Sequence, residues 1–142
     1  MNIPIPQKIE VKASHIHGLG VFAKEKINKD EIIETCYAIF FRTDLGDLND
    51  VLLKYRFSYP CGQNPTHFAI PLGYGCIYNH DENNNAFWTC DSNSALYYFV
   101  SNRDIEIGEE ICTSYGGPDY WKFIKTIYNG ETILSKFTTK SW

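Results

Sequence analysis

Short runs in which polar and apolar residues alternate predict β-strands along most of the chain. Residues 8–12, KIEVK, form the first run, and residues 21–23 form a second after a glycine-rich turn. Residues 32–41 are apolar almost throughout, a pattern typical of one or two mostly buried strands. Further strands are predicted at residues 66–70, 87–90, 95–101 and 111–115. We therefore expect a mostly β protein with short helices.

The spacing of the apolar residues changes between residues 45 and 55. Leu45, Leu48, Leu52 and Tyr55 recur at intervals of three, four and three residues, which places them on one face of a short helix. Core packing explains the leucines, whereas Tyr55 at the end of the helix is either a core residue or the wall of a pocket. A similar stripe over residues 120–128 predicts a closing helix.

The composition indicates a single aromatic-rich domain. The chain has 142 residues, enough to bury a core, and 15% of them are aromatic. A formal charge of −4 argues against nucleic-acid binding, which normally needs a basic face, and favours a basic partner. No apolar run reaches the roughly 20 residues of a membrane span, and the N-terminal sequence lacks a secretory apolar segment. We expect an intracellular protein, cytoplasmic or nuclear, without a membrane partner.

The cysteines do not form a recognisable motif. The five are Cys36, Cys61, Cys76, Cys90 and Cys112. This number is odd and no pair has C-x-C or C-x-x-C spacing, so we expect free buried thiols. A zinc site formed by Cys76, His80, Cys90 and Cys112 would lack the usual ligand-pair spacing, and no metal is predicted.

The stretch 73–86, GYGCIYNHDENNNA, combines small glycines, an apolar patch and polar side chains. Asn79 and His80 offer hydrogen-bond donors and acceptors beside apolar neighbours, which is how a small-molecule pocket is lined. A polar turn between two strands would explain the stretch equally well. Another Gly-x-Gly at residues 18–20 is weak evidence alone, and it indicates a ligand only if a second segment faces it.

Three segments in series carry a family resemblance. They are residues 18–23 (GLGVFA), residues 78–80 (YNH) with Asn85-Ala86 after them, and residues 107–111 (IGEEI) leading to Ser114-Tyr115-Gly116. Their order and separation resemble the three signatures of the SET-domain protein-lysine methyltransferases, over roughly residues 8–121. The chain most resembles the compact viral-type SET histone methyltransferases, which share a Tyr-x-Phe-Ser like residues 55–58 and a Tyr-Trp like residues 120–121.

The resemblance implies a fold as well as a function. A SET domain is a β-clip fold in which small curved sheets surround a knot-like crossing near the C-terminus. General rules of chain topology would not predict such threading. Residues 1–142 would form one SET domain, with a core at about residues 8–121 and a C-terminal extension at residues 122–142.

The implied activity is methyl transfer from S-adenosylmethionine to a lysine side chain. The implied cofactor-binding residues are Gly18, Leu19, Gly20, Tyr78, Asn79, His80, Tyr115 and Trp121. The lysine would enter from the opposite face, through a channel lined by Tyr55, Tyr74, Trp88 and Thr113. Tyr115 and Tyr55 would be the catalytic residues. The expected partner is a basic protein or peptide such as a histone tail, with no direct nucleic-acid contact, and a homodimer is compatible with this prediction.

Lysine chemistry explains why the family has an aromatic channel. A lysine amine has a reference pKa of about 10.4 and cannot attack while it is protonated. Apolar surroundings lower that pKa because they disfavour the ammonium ion. Transfer then depends mainly on alignment of the reacting atoms, which a narrow channel supplies. The hydroxyl of Tyr115 would orient the amine.

Some positions depart from the family pattern. Asp81 follows His80 where the family usually has serine, and Asn84 precedes Asn85 where it has proline. Thr113 stands where many members have an aromatic residue that influences the number of methyl groups added.

Zinc-binding cysteine clusters, which flank the domain in other members, have no counterpart here, so Trp121 would cover the cofactor. Two alternatives to an enzyme stay open. One is a non-catalytic module that binds S-adenosylmethionine or a peptide on the same scaffold, and the other is a β-clip domain of unrelated function.

Overall fold

Short strands are the main secondary structure in the described part of the protein. The computed structural model describes residues 2–42, 44, 50–61 and 64–115. In chain order, the strands in this part are β1 (Ile9–Ala13), β2 (Leu19–Ala23), β3 (Ile32–Cys36), β4 (Ala38–Arg42), β5 (Phe57–Tyr59), β6 (His67–Pro71), β7 (Asn79–His80), β8 (Ala86–Asp91), β9 (Leu96–Ser101) and β10 (Glu110–Thr113). A short helix, α1 (Asp50–Tyr55), precedes β5.

These strands pair into three small sheets, with the orders β1-β2-β10-β7, β3-β9-β8 and β4-β6-β5. In the first sheet, β10 is antiparallel to β2 and parallel to β7. The parallel pairing joins Cys112 to Asn79 and Thr113 to His80. It therefore brings the Asn-His segment beside the strand that leads to Tyr115.

The core lies between the sheets and is rich in aromatic side chains. Tyr97 and Phe99 of β9 are fully buried. Phe57 of the third sheet meets Trp88 and Tyr97 of the second edge to face, with ring centroids 4.8 and 5.7 Å apart. This is a preferred geometry for aromatic pairs, and it fixes the third sheet against the second.

The predicted mostly β architecture is confirmed. The predicted strands are present, and most bounds shift by one or two residues. Two further strands, β5 and β7, are absent from the sequence prediction. Both are too short to show alternation, and the polar pair Asn79–His80 forms a strand because β10 pairs with it. Within the described ranges, no helix is long and apolar enough to cross a membrane.

Part of the sequence prediction falls on residues that the structure does not describe. The observed helix begins at Asp50, and Leu45 and Leu48 lie outside the described residues. The same holds for the predicted helix at residues 120–128, the knot-like crossing after Tyr115 and the extension at residues 122–142. The single-domain organisation stays a prediction.

The prediction of five free thiols is wrong for two cysteines. Cys61 and Cys90 form a disulfide, with their Cα atoms 5.9 Å apart. Packing of the third sheet against the second brings the end of β5 close to β8, which a sequence separation of 29 residues does not indicate. Cys36, Cys76 and Cys112 lie outside any disulfide. Among the described residues, no three His, Cys, Asp or Glu side chains are placed to hold a metal ion.

Candidate active site

Asn79 lies at the buried contact between the glycine motif and the last strand. Its side chain is 2% exposed. The Nδ2 atom lies 3.1 Å from the carbonyl oxygens of both His17 and Leu19, and 2.9 Å from Glu110 Oε1. A side-chain amide has two N–H donors, so these acceptors share them. Asn79 therefore holds the turn at residues 17–19 against β10.

The structure gives Gly20 an intramolecular reason to lack a side chain. A Cβ atom there would collide with Glu110 Oε1 and would lie 3.1 Å from Asn79 Nδ2. The Glu110–Asn79 contact, which is partly buried, thus occupies the space that a larger residue would need. Gly18, by contrast, is exposed and has a φ of 48°, a conformation that glycine adopts at little cost.

Asn85 fixes β10 from its other side. Its Nδ2 donates to the Glu110 carbonyl at 2.9 Å, and its Oδ1 accepts from the Cys112 N–H at 2.9 Å. The residue is 4% exposed. The sequence marks Asn85 as part of the second motif, but only the structure shows that its contacts are with backbone groups of β10.

His80 and Tyr115 form the half-buried part of the site. The Tyr115 N–H donates to His80 Nδ1 at 3.0 Å, and the two ring centroids are 5.3 Å apart. Burial lowers the pKa of His80, although Glu82 and Asp81 oppose the shift. The imidazole is therefore neutral near pH 7, with its proton on Nε2, because Nδ1 accepts a hydrogen bond.

The Tyr115 hydroxyl has a defined orientation. It donates to the carbonyl oxygen of Tyr78 at 2.6 Å. A phenol that donates its own proton in this way retains lone pairs on oxygen as acceptors. Tyr115 can thus accept a hydrogen bond from a group in the adjoining cleft, while the Tyr78 carbonyl supplies a second acceptor nearby.

Tyr115 and Tyr78 both line a small cleft of about 40 Å³. Its lining consists of Lys54, Tyr55, Arg56, Phe57, Gly75, Cys76, Tyr78, Trp88, Thr113 and Tyr115. Five of these ten residues are aromatic, and the small volume suits an unbranched side chain better than a bulky ligand. Burial raises the pKa of Tyr55, as expected for a phenol in a weakly polar wall.

The structure brings together five of the sequence-predicted site residues in this one cleft, namely Tyr55, Tyr78, Trp88, Thr113 and Tyr115. Tyr74 lies beside the cleft and not in its lining, and its backbone N–H donates to Glu34 at 2.9 Å. Trp121 lies outside the described residues, and its role stays a prediction.

Other lining residues escape sequence reasoning. They are Lys54, Arg56 and Phe57, whereas Gly75 and Cys76 belong to the stretch 73–86, which the sequence already indicates as a possible pocket lining. The Tyr-Arg-Phe-Ser motif at residues 55–58 contains two of them. Interpreting this motif as a lining segment, and not only as a helix end, would have identified them.

The site combines a buried asparagine, a histidine and a tyrosine at a short parallel strand pair. The family model that matches residues 18–116 is the SET domain. The chain belongs to the SET-domain family. Its SET domain is therefore the part of the chain that contains the glycine motif, the Asn-His segment and the strand before Tyr115.

Similar proteins include named histone methyltransferases. A Schizosaccharomyces pombe protein, "Histone-lysine N-methyltransferase, H3 lysine-37 specific", is 29% identical over 120 residues, which cover 82% of this chain and 79% of that protein. The crystal structure of a candidate histone methyltransferase from Plasmodium falciparum is 32% identical, with a TM-score of 0.68, and the match covers 82% of this chain and 99% of that one. The likeness to viral-type members in particular stays a prediction.

Proposed function

We propose that this SET domain is a protein-lysine methyltransferase that transfers a methyl group from S-adenosylmethionine to a lysine of a basic protein, with a histone tail as the first candidate. One observation supports this most directly. The Tyr115 hydroxyl is oriented by the Tyr78 carbonyl at 2.6 Å, and both residues line one small cleft that is rich in aromatic side chains. Family membership and the relatives named as histone methyltransferases support the same reaction.

Residues of the glycine motif, the Asn-His segment and Tyr115 fit S-adenosylmethionine. The exposed Gly18 and the half-buried Leu19, His80 and Tyr115 offer backbone polar groups together with ring surface. Such a mixture suits a ligand with an adenine ring and a charged amino-acid end. The Asn79 amide is buried among protein acceptors, so its contribution is to hold the turn at residues 17–19 in place. When bound, S-adenosylmethionine supplies an electrophilic methyl group.

The cleft prepares the lysine for attack in two ways. Its apolar lining disfavours the ammonium form and so lowers the lysine pKa from about 10.4. The Tyr115 oxygen and the Tyr78 carbonyl are acceptors that can orient the amine N–H bonds, which leaves the nitrogen lone pair directed along the cleft. Trp88 and Phe57, whose ring centroids are 4.8 Å apart, restrict sideways movement of the substrate chain.

The proposed substrate agrees with the charge of the protein. A formal charge of −4 attracts a basic segment at long range. A histone substrate would require the enzyme to act in the nucleus or on newly made histones in the cytoplasm. Homodimer formation stays a prediction.

Transfer of radiolabelled methyl groups tests the proposal. The protein is incubated with labelled S-adenosylmethionine and either core histones or an acidic control protein, and modified lysines are located by mass spectrometry. We expect label on histone lysines, and a rate of labelling lower by a factor on the order of 10²–10³ with the Tyr115→Phe variant. Binding of S-adenosylmethionine without any transfer would instead identify a non-catalytic binding module.

A further inference from the structure

A buried carboxyl group contacts a residue of the cleft lining without lining the cleft itself. Glu34 of β3 is 4% exposed. Its Oε1 accepts a hydrogen bond from the Tyr78 hydroxyl at 2.9 Å, and its Oε2 accepts one from the Tyr74 N–H at 2.9 Å. Burial of a carboxyl is costly unless it is hydrogen-bonded. Both ends of the segment 74–78 are therefore bonded to one side chain.

The chain makes space for this carboxyl. Gly73 has a φ of +71°, and a Cβ atom there would lie 2.5 Å from Glu34 Oε2. That distance is too short for any real side chain. Glycine at this position therefore allows the carboxylate to approach the backbone of the segment that begins with Tyr74.

Tyr78 connects Glu34 to the cleft. The Tyr78 ring stacks on Phe99 with a centroid distance of 4.2 Å and an interplanar angle of 13°, and its hydroxyl donates to Glu34. These two contacts fix the side chain at its face and at its tip. The backbone carbonyl of the same residue accepts the hydrogen bond from the Tyr115 hydroxyl at 2.6 Å.

We propose that Glu34 is a positioning residue for methyl transfer, because it holds the 74–78 segment so that the Tyr78 carbonyl keeps the Tyr115 hydroxyl oriented in the cleft. Glu34 itself does not line the cleft. This inference rests on the proposed function, since it assigns Tyr115 to the reaction. Burial also raises the pKa of Glu34, although its hydrogen bonds from Tyr74 and Tyr78 lower it in part.

Two substitutions at Glu34 separate positioning from general stability. Glu34→Gln keeps the shape and a hydrogen bond to each partner, because the amide oxygen can accept from the Tyr74 N–H while the amide nitrogen donates to the Tyr78 oxygen, which reverses the direction of that bond. Glu34→Ala removes both bonds. An atomic displacement of about 1 Å can cost on the order of 10²-fold in rate. We therefore expect a drop in kcat of about tenfold or more for Glu34→Ala, an unchanged KM for S-adenosylmethionine, and near wild-type kcat for Glu34→Gln.

Two further variants serve as matched comparisons. Glu31→Ala removes a partly exposed glutamate beside the start of β3, where it pairs with Lys8 at 2.9 Å, and it should leave kcat unchanged. Tyr78→Phe deletes only the hydroxyl that bonds Glu34, so kcat should fall even if Glu34→Ala does not fold. Equal kcat in wild type and Tyr78→Phe, or a loss of kcat in Glu34→Gln as large as in Glu34→Ala, would overturn the inference.

A spectroscopic measurement separates this inference from the proposed function. NMR signals of the Tyr115 ring, labelled with ¹³C, report the orientation of that side chain even if no substrate is methylated. Glu34→Ala should shift or broaden these signals, and Glu34→Gln should leave them close to wild type. If the wild type is inactive and the signals respond in this way, the proposed function fails while the positioning contact holds. Unchanged signals in Glu34→Ala would overturn the positioning role.

Discussion

At the scale of single residues, Tyr115 is held by its backbone and by its side chain. Its N–H donates to His80 Nδ1 at 3.0 Å, and its hydroxyl donates to the Tyr78 carbonyl at 2.6 Å. A residue held both at its backbone N–H and at its side-chain hydroxyl loses little freedom when substrate binds, since its orientation is already set. The hydroxyl oxygen is then an acceptor at a fixed position in the cleft wall.

Tyr115→Phe deletes this oxygen and keeps the shape of the ring. Loss of one well-placed hydrogen-bonding group typically costs on the order of 10²–10³ in rate. We expect kcat to fall by about that factor, with nearly normal affinity for S-adenosylmethionine by calorimetry. Tyr98→Phe, at a half-buried tyrosine of β9 outside the cleft lining, is the matched control. Near wild-type kcat in Tyr115→Phe would remove this hydroxyl from the mechanism.

The hydrogen bond from Tyr115 to His80 should weaken in acid. Burial lowers the pKa of His80 from its ordinary value near 6.5, and protonation of Nδ1 would remove the acceptor. The neutral histidine therefore contributes stability that is present above pH 6.5 and is lost as the pH falls through the lowered pKa. His80→Asn keeps an acceptor that does not titrate.

Urea unfolding at several pH values measures this effect. Between pH 7 and pH 5 the wild type should lose more stability than His80→Asn. The exposed His15 provides the control, because His15→Asn should follow the wild-type profile. Parallel profiles for wild type and His80→Asn would show that folding does not change the pKa of His80.

At the scale of elements, β10 organises the site through a strand pairing that cannot be predicted from its own sequence. The apolar run predicts a strand at residues 111–115, and the structure has Glu110–Thr113. Its parallel partner β7 is two polar residues long, so neither alternation nor strand propensity could reveal it. The position of Asn79–His80 follows from tertiary pairing, which local pattern does not encode.

Asn85→Ala tests whether side-chain hydrogen bonds hold β10 in place. The substitution would leave the Cys112 N–H and the Glu110 carbonyl without their bonds to this side chain. A buried polar group that loses its partner costs about 1–3 kcal/mol, so we expect a loss of that size in the free energy of unfolding. Asn83→Ala is the control, since Asn83 is exposed and its backbone N–H bonds Asp81 whatever its side chain. Equal stability of the two variants would contradict this role.

At the scale of the whole molecule, the order of the three motifs along the chain indicated the family better than any single motif. Three short motifs separated by tens of residues indicate the SET-domain family, and the family model matches residues 18–116. The Cys61–Cys90 disulfide could not be predicted, because it depends on how the third sheet packs against the second. Glu34 also escapes sequence reasoning, since a glutamate in an apolar run has no pattern that marks it as buried and bonded.

The segments proposed to bind S-adenosylmethionine are far apart in the sequence and meet only in the folded protein. We therefore predict that S-adenosylmethionine stabilises the folded state. A ligand that binds only the folded state adds about 2.7 kcal/mol to stability at a concentration 100 times its Kd. We therefore expect the melting temperature to rise by several degrees at saturating S-adenosylmethionine. Gly18→Val should abolish this rise, because its side chain would enter the face proposed to receive the ligand.

Gly108→Val is a matched control for backbone strain. Gly108 has a φ of 88°, and a Cβ atom there would meet nothing within 4 Å. Valine is strained at a positive φ, so both variants should melt at a lower temperature than the wild type before ligand is added. When S-adenosylmethionine is added, only Gly108→Val should show the full rise in melting temperature. A wild-type melting temperature that does not change with S-adenosylmethionine would contradict cofactor binding. A full rise in the melting temperature of Gly18→Val would place the ligand away from the glycine motif.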